Sequence, residues 1–149
     1  MERAPDLADR LQEEGLDAAL DHVRNLGSEG PVAEALRRRK SGLALVLALA
    51  DLSGLVGVDR VTRILSDFAD QALDAALADI IARRTPGAEL RGFAVIALGK
   101  HGGQELNYSS DIDPIFIYDP MTLPCRPRED AADAAQRIAR QLIDTMSQR

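Results

Sequence analysis

Asp111 and Asp113 stand one residue apart, after a run rich in glycine and serine and before an apolar stretch. Side chains two residues apart on a strand point to the same face. At about 3.3 Å of rise per residue, their backbones lie roughly 6–7 Å apart. Both carboxylates can therefore aim at one point. Hard oxygen donors at that spacing suit Mg²⁺, which commonly takes one or two carboxylates and substrate phosphates. Gly102 and Gly103, just upstream, let backbone N–H groups come close to those phosphates. The combination is a pattern for nucleotidyl transfer.

Each residue also has a plainer reading. An isolated Asp-x-Asp is only a polar start to a strand. The glycine pair before it, Ser109-Ser110 beside it and the flanking hydrophobics favour metal ligation instead. Paired glycines usually mark a turn, but their place ahead of the carboxylates favours a phosphate cradle. Ser110 can hydrogen-bond a phosphate oxygen or its own backbone. Lys100 can pair with phosphate charge or remain solvated. Glu105 reads as a structural hydrogen-bonding residue of a helical turn over 104–107, rather than as a third ligand. His101 has no second ligand to place it and is not read as catalytic. His22 reads as a helix-surface residue, Cys125 has no base nearby to activate it, and Arg37–Lys40 reads as a solvated helix end.

The elements around these residues follow from hydrophobic spacing. Asp6 to about Asn25 is periodic, with Leu7, Leu11, Leu16, Leu20 and Val23 inward. A break at Gly27–Pro31 leads to a second helix ending near Leu52, with Pro31 suited to its first position. Its Leu43–Ala50 segment is apolar all round and should lie centrally. Asp59 to about Arg83 is amphipathic, with Asp67, Asp70, Asp74 and Asp79 largely outside its stripe. Three helices are thus expected before the motif. Phe93–Leu98 is a short continuous apolar strand, a pattern consistent with burial on both faces. Ile112–Tyr118 is the second strand, and Pro114 within it predicts a strand start or bulge. After an irregular loop over Met121–Arg128, a last helix should turn Ala135, Ile138, Ala139, Leu142, Ile143 and Met146 to one face. The fold class expected is α+β, with a helical prefix over 1–90 and a strand–turn–strand–helix unit over 91–149.

Bulk properties narrow the function. The 149 residues are 46% hydrophobic and 28% charged, ordinary for a soluble globular domain. A net charge of −6 and a pI near 4.9 argue against a general nucleic-acid binder, which needs a basic face. The longest apolar run is too short for a membrane span, which needs about 20 residues, and no signal-peptide pattern begins at Met1. One cysteine excludes an intrachain disulfide, and no Cys/His spacing for zinc is present. The location expected is cytoplasmic.

The run Ala97–Phe116 closely resembles the nucleotidyltransferase motif of the glutamate–ammonia-ligase adenylyltransferase family, A-hydrophobic-G-K-x-G-G-x-E-L-N-[YF]-x-S-D-I-D-L-I-F. Pro114 stands where most relatives have Leu. Leu36–Leu52 and Val61–Ala82 are similar to the helices ahead of that family's first catalytic domain, so the resemblance covers about Leu36 to Pro124. It implies a polymerase-β-like nucleotidyltransferase fold. It also implies Asp111 and Asp113 as catalytic ligands of one or two Mg²⁺ ions, with Gly102, Gly103, Ser110 and Lys100 at the nucleotide phosphates, ATP or ADP as nucleotide, and a third carboxylate on a further strand. The family's enzyme attaches AMP to a tyrosine of glutamine synthetase and removes it. Asn107, together with Met1 standing so near the motif, resembles the deadenylylating half, in which phosphate attacks tyrosyl-AMP to give ADP. The chain then reads as the amino-terminal piece of a longer enzyme, with little activity alone. Glutamine synthetase and a nitrogen-regulatory signalling protein are the implied partners, with no nucleic acid or membrane. Two other readings remain: a uridylyltransferase-type relative, whose usual G-x-G-R-x-E-L spelling differs from Gly99–Gly103, and a non-catalytic module that binds glutamine synthetase or a regulatory protein.

Overall fold

The computed structural model describes residues 4–147. Four helices, α1 (Ala4–Glu14), α2 (Leu16–Asn25), α3 (Val32–Leu52) and α4 (Val58–Arg84), precede strand β1 (Phe93–Ala97). A single turn α5 (Gly99–Gly102), strand β2 (Pro114–Tyr118) and helix α6 (Ala131–Ser147) complete the α+β arrangement. Among the described residues, no helix is long and apolar enough to cross a membrane.

The single helix expected over 6–25 is two helices, so four and not three precede the motif. The break is Gly15, whose φ of +89° is open to glycine at little steric cost. Bending there lets both short helices lie on α3. Leu7 and Leu11 of α1, and Leu20 and Val23 of α2, are buried with Leu43, Val46, Leu47 and Ala50 of α3. Pro31 is the cap of α3 and not its first residue. Helix α3 is central as expected, touching α1, α2 and α4.

Helix α4 joins two cores. Its 27 residues contain neither glycine nor proline and span about 40 Å at 1.5 Å per residue. Val61 belongs to the first core, with Ile64, Leu65 and Phe68 packed against it. Leu73, Ala76, Leu77, Ile80 and Ile81 form a second core with Leu123 and with Ala134, Ala135, Ile138 and Leu142 of α6. Ile143, expected on the inward face of α6, is exposed instead. The apolar stripe of α6 is narrower than the sequence implied, and it centres on Ala134, Ile138 and Leu142.

The two strands pair antiparallel, with Phe93 opposite Tyr118 and Ala97 opposite Pro114. Pro114 opens β2, where its missing N–H costs the ladder little. Phe93, Val95 and Phe116 pack on the second core, the two phenyl rings 5.9 Å apart between centroids. Burial on both faces is not what the hairpin shows. Ala94, Ile96, Ile115 and Ile117 form an exposed opposite face, because no described element covers it.

The loop into α6 is fixed by a buried ion pair. Arg84 at the end of α4 donates to Glu129 at 2.7 Å, with side chains only 3% and 5% exposed. Glu129 also accepts the backbone N–H of Arg126 (3.0 Å) and a bond from Arg137 (2.9 Å). Arg126 Nε returns a bond to the Arg84 carbonyl. Asp130 then caps α6 by accepting the Ala132 N–H.

Candidate active site

The glycine run after β1 folds as one tight turn. A helical turn was expected at 104–107, and it lies earlier, at Gly99–Gly102. Gln104 closes it with φ +59°. The Gln104 N–H donates to His101 O (3.0 Å) and the Glu105 N–H to Lys100 O (2.7 Å), which is a Schellman termination. Gly102 sits hard against β1: a Cβ there would lie 2.5 Å from the Ala97 carbonyl oxygen. The N–H groups of Gly102 and Gly103 are engaged within the turn, on Leu98 O and Gly99 O. The expected approach of these N–H groups to a phosphate is therefore not what the turn shows, because both already donate within it. Lys100 and Glu105 are exposed. The bond that places Glu105 in this turn is made by its backbone, and no structural bond from its carboxylate is seen.

Asn107 shapes the next turn. Its Oδ1 accepts the Ser109 N–H (3.0 Å) and the Ser110 hydroxyl (2.9 Å), and Ser110 Oγ accepts the Asn107 N–H (3.0 Å). The Ser110 hydroxyl thus has its local partners, with one acceptor position to spare.

Asp111 and Asp113 lie in the segment just before β2, which begins at Pro114 and not at Ile112 as expected. Pro114 sets the strand's first residue, but the alternation of faces already runs through the segment. Asp111, Asp113, Ile115 and Ile117 are exposed, whereas Ile112, Pro114 and Phe116 are half-buried. Ile112 packs on the second core and anchors the pair from beneath. The Leu98 N–H donates to Asp113 O (3.2 Å), continuing the ladder one step past Pro114. Gly99 lies next to Asp113, with its Cβ position 3.9 Å from Asp113 Oδ2. Among the described residues, no group of three His, Cys, Asp or Glu side chains gathers around a common point. Two carboxylates without sulfur or imidazole are a donor set for a hard cation such as Mg²⁺, not for zinc.

The helices hold this loop at three points that the sequence did not disclose. The His101 side chain is fully buried, and its Nε2–H donates to Asp70 Oδ1 of α4 at 2.8 Å. Ser66 of α4, also buried, accepts the Leu106 N–H (3.3 Å) and donates to Thr62 O (2.8 Å). Tyr108 lies beside Asp51 of α3, and partial burial followed by that carboxylate raises the Tyr108 phenol above its usual range. One signal was available: Ser66 is a polar residue within the inward stripe of α4.

This glycine turn and carboxylate pair lie on a chain whose residues 3–149 match the family model described as glutamate-ammonia ligase adenylyltransferase. The chain belongs to that family. It is 40% identical to the bifunctional glutamine synthetase adenylyltransferase/adenylyl-removing enzyme of Xanthobacter autotrophicus, over 83% of this chain and 14% of that one. For the enzyme of the same description from Rhizobium meliloti the identity is 36%, over 81% of this chain and 13% of that one. For that from Mesorhizobium japonicum it is 30%, over 99% of this chain and 17% of that one. The chain thus spans about a seventh of the length of these relatives. No solved structure matches it. The adenylyltransferase-family match reaches well beyond the motif into α1, α2 and α6, so the helices that hold the loop are part of what the family model describes.

Proposed function

We propose that this chain contributes part of the nucleotidyl-transfer site of a Mg²⁺-dependent enzyme. That enzyme would adenylylate and deadenylylate a tyrosine of glutamine synthetase in the cytoplasm, under the influence of a nitrogen-regulatory protein. The strand–turn–strand–helix unit would be the opening of a polymerase-β-like domain, and its chemistry the removal of AMP. The observation that carries this reading is the pair Asp111 and Asp113, exposed on one face beside a glycine turn. Family membership and the Asn107-containing run support it.

Mg²⁺ held by Asp111 and Asp113 would neutralise phosphate charge and favour departure of the phenolate. The chain's own residues would do the rest. Gly102 and Gly103 present no side chain to exclude a phosphate. Lys100 adds positive charge at the same turn, and Ser110 would turn its hydroxyl from Asn107 Oδ1 to donate to a phosphate oxygen. An oxygen of inorganic phosphate bonds to the AMP phosphorus as the phosphorus–tyrosyl oxygen bond breaks. ADP leaves, and the tyrosine oxygen takes up a proton. Two carboxylates are an incomplete set for this chemistry, so the 149-residue chain alone would have little activity.

The test is phosphate-dependent release of ADP from adenylylated glutamine synthetase by the enzyme carrying this segment. Asp111→Ala and Asp113→Ala should each lower the rate at least about 100-fold, because metal charge stabilisation is worth several kcal/mol. Retained activity would sink the metal-site assignment, and preference for UTP would move the reading to a uridylyl-transferring relative.

A further inference from the structure

The carboxylate pair is exposed and needs something to hold its geometry. The contacts that do so come from α4 and not from the sheet alone. His101 sits in the middle of the glycine turn, yet its ring is 0% exposed. A buried imidazole demands a partner, and Asp70 supplies one at 2.8 Å. A carboxylate only accepts, so the proton lies on Nε2 and the bond is charge-assisted. Gln104 Nε2 reaches the other Asp70 oxygen at 3.5 Å. The same turn begins at Gly99, beside Asp113 Oδ2, and Leu98 is bonded to Asp113 O. Asp70 is half exposed, at 50%, and no core packing explains it.

We propose that Asp70 is a positioning residue for the Asp111–Asp113 pair. Acting through His101, it fixes the Gly99–Gly103 turn on α4 and with it the seat of Asp113. The proposal rests on the nucleotidyl-transfer reading for its purpose, though not for its geometry. Removing the acceptor frees the ring, the turn loses its attachment to α4, and Asp113 loses its fixed neighbour at Gly99. Partners outside the metal's own ligands commonly change metal affinity by about 10–100-fold when removed.

The test compares Asp70→Ala, which removes the acceptor, with Asp70→Asn, which keeps an oxygen for the His101 N–H but loses the charge. Val61→Ala, in the first core away from the loop, controls for general destabilisation. Two signals are read on the 149-residue protein: the backbone amide resonances of residues 99–103 and 111–113, and binding of Mn²⁺–ATP by water proton relaxation. Asp70→Ala should shift both sets of amides and weaken Mn²⁺–ATP binding about 10-fold. Asp70→Asn should restore both, and Val61→Ala should change neither. Unmoved Asp111–Asp113 amides in Asp70→Ala would overturn the proposal. So would an equal loss of binding in Asp70→Asn, which would indicate charge alone, or equal amide shifts in Val61→Ala. If Asp111→Ala and Asp113→Ala leave phosphate-dependent ADP release by the enzyme carrying this segment unchanged while the amide pattern holds, the functional reading falls and the positioning role stands. Should Asp70→Ala not fold, Asp70→Ser, whose hydroxyl is too short to reach the ring, takes its place.

Discussion

Replacing Glu129 by alanine isolates the contribution of a single buried carboxylate to this fold. The Arg84 and Glu129 side chains are 3% and 5% exposed, whereas the second cation on Glu129, Arg137, is 56% exposed. Glu129→Ala leaves the Arg84 charge buried without its counter-ion, a situation that costs about 3–5 kcal/mol. Arg137→Ala removes only a solvent-screened partner and should cost less than about 1 kcal/mol. Glu129→Gln keeps the size and one acceptor oxygen, but its amide faces donors, so roughly 1–3 kcal/mol should be lost. In a chain of this size each kcal/mol lowers Tm by about 2–4 °C, giving roughly 6–20 °C for Glu129→Ala. Urea unfolding followed by circular dichroism checks the order. The Arg126 N–H bond first, then Arg84 and Arg137, holds the Glu129 carboxyl below its ordinary value of 4.5 against the opposing effect of burial. A carboxyl lowered in the folded state stabilises above its unfolded pKa, and that stability fades as pH falls through the folded value. The gap between the unaltered protein and Glu129→Ala should therefore be full at pH 7 and shrink below pH 4.5. A loss under about 1 kcal/mol for Glu129→Ala, or a loss equal to that of Arg137→Ala, would refute the argument from burial.

Two further substitutions probe the loop. Gly102→Ala should destabilise by about 1–3 kcal/mol less the roughly 1 kcal/mol that alanine gains in a helical turn, because its Cβ would meet the fixed Ala97 carbonyl. Thermal unfolding, together with amide shifts at Ala97 and Leu98, reads both effects. Gln104→Gly should stabilise by up to about 1 kcal/mol, relieving the left-handed backbone at φ +59°. A loss of stability there would mean that the Gln104 side chain's bond to Asp70 matters more than its backbone.

The long helices were legible because the apolar spacing of α3, α4 and α6 is sustained over many turns. The shared exposed side of Asp111 and Asp113 was legible because alternation over three residues needs no tertiary information. Gly15 escaped notice because periodicity continues across it, and only a positive φ reveals the break. The turn at Gly99–Gly102 was hidden by its composition: glycines read as breakers, yet here a left-handed Gln104 and two backbone bonds close a helical turn. The apolar run of β1 implied cover on both faces, but composition reports what a strand tolerates and not what packs on it. The bond from His101 to Asp70 joins residues 31 positions apart. It depends on how α4 lies against the hairpin, and no local pattern encodes that.

The bare side of the hairpin has a solubility consequence. Ile96, Ile115 and Ile117 face water beside two strand edges, both unpaired among the described residues. Such surfaces recruit other strands at high protein concentration. Asp111 and Asp113 continue the same face as it leaves β2, and their negative charges act there as gatekeepers, repelling a second copy that approaches in register. A residue pair suited to binding a cation would thus also keep the sheet from self-association, and cation binding would weaken that protection.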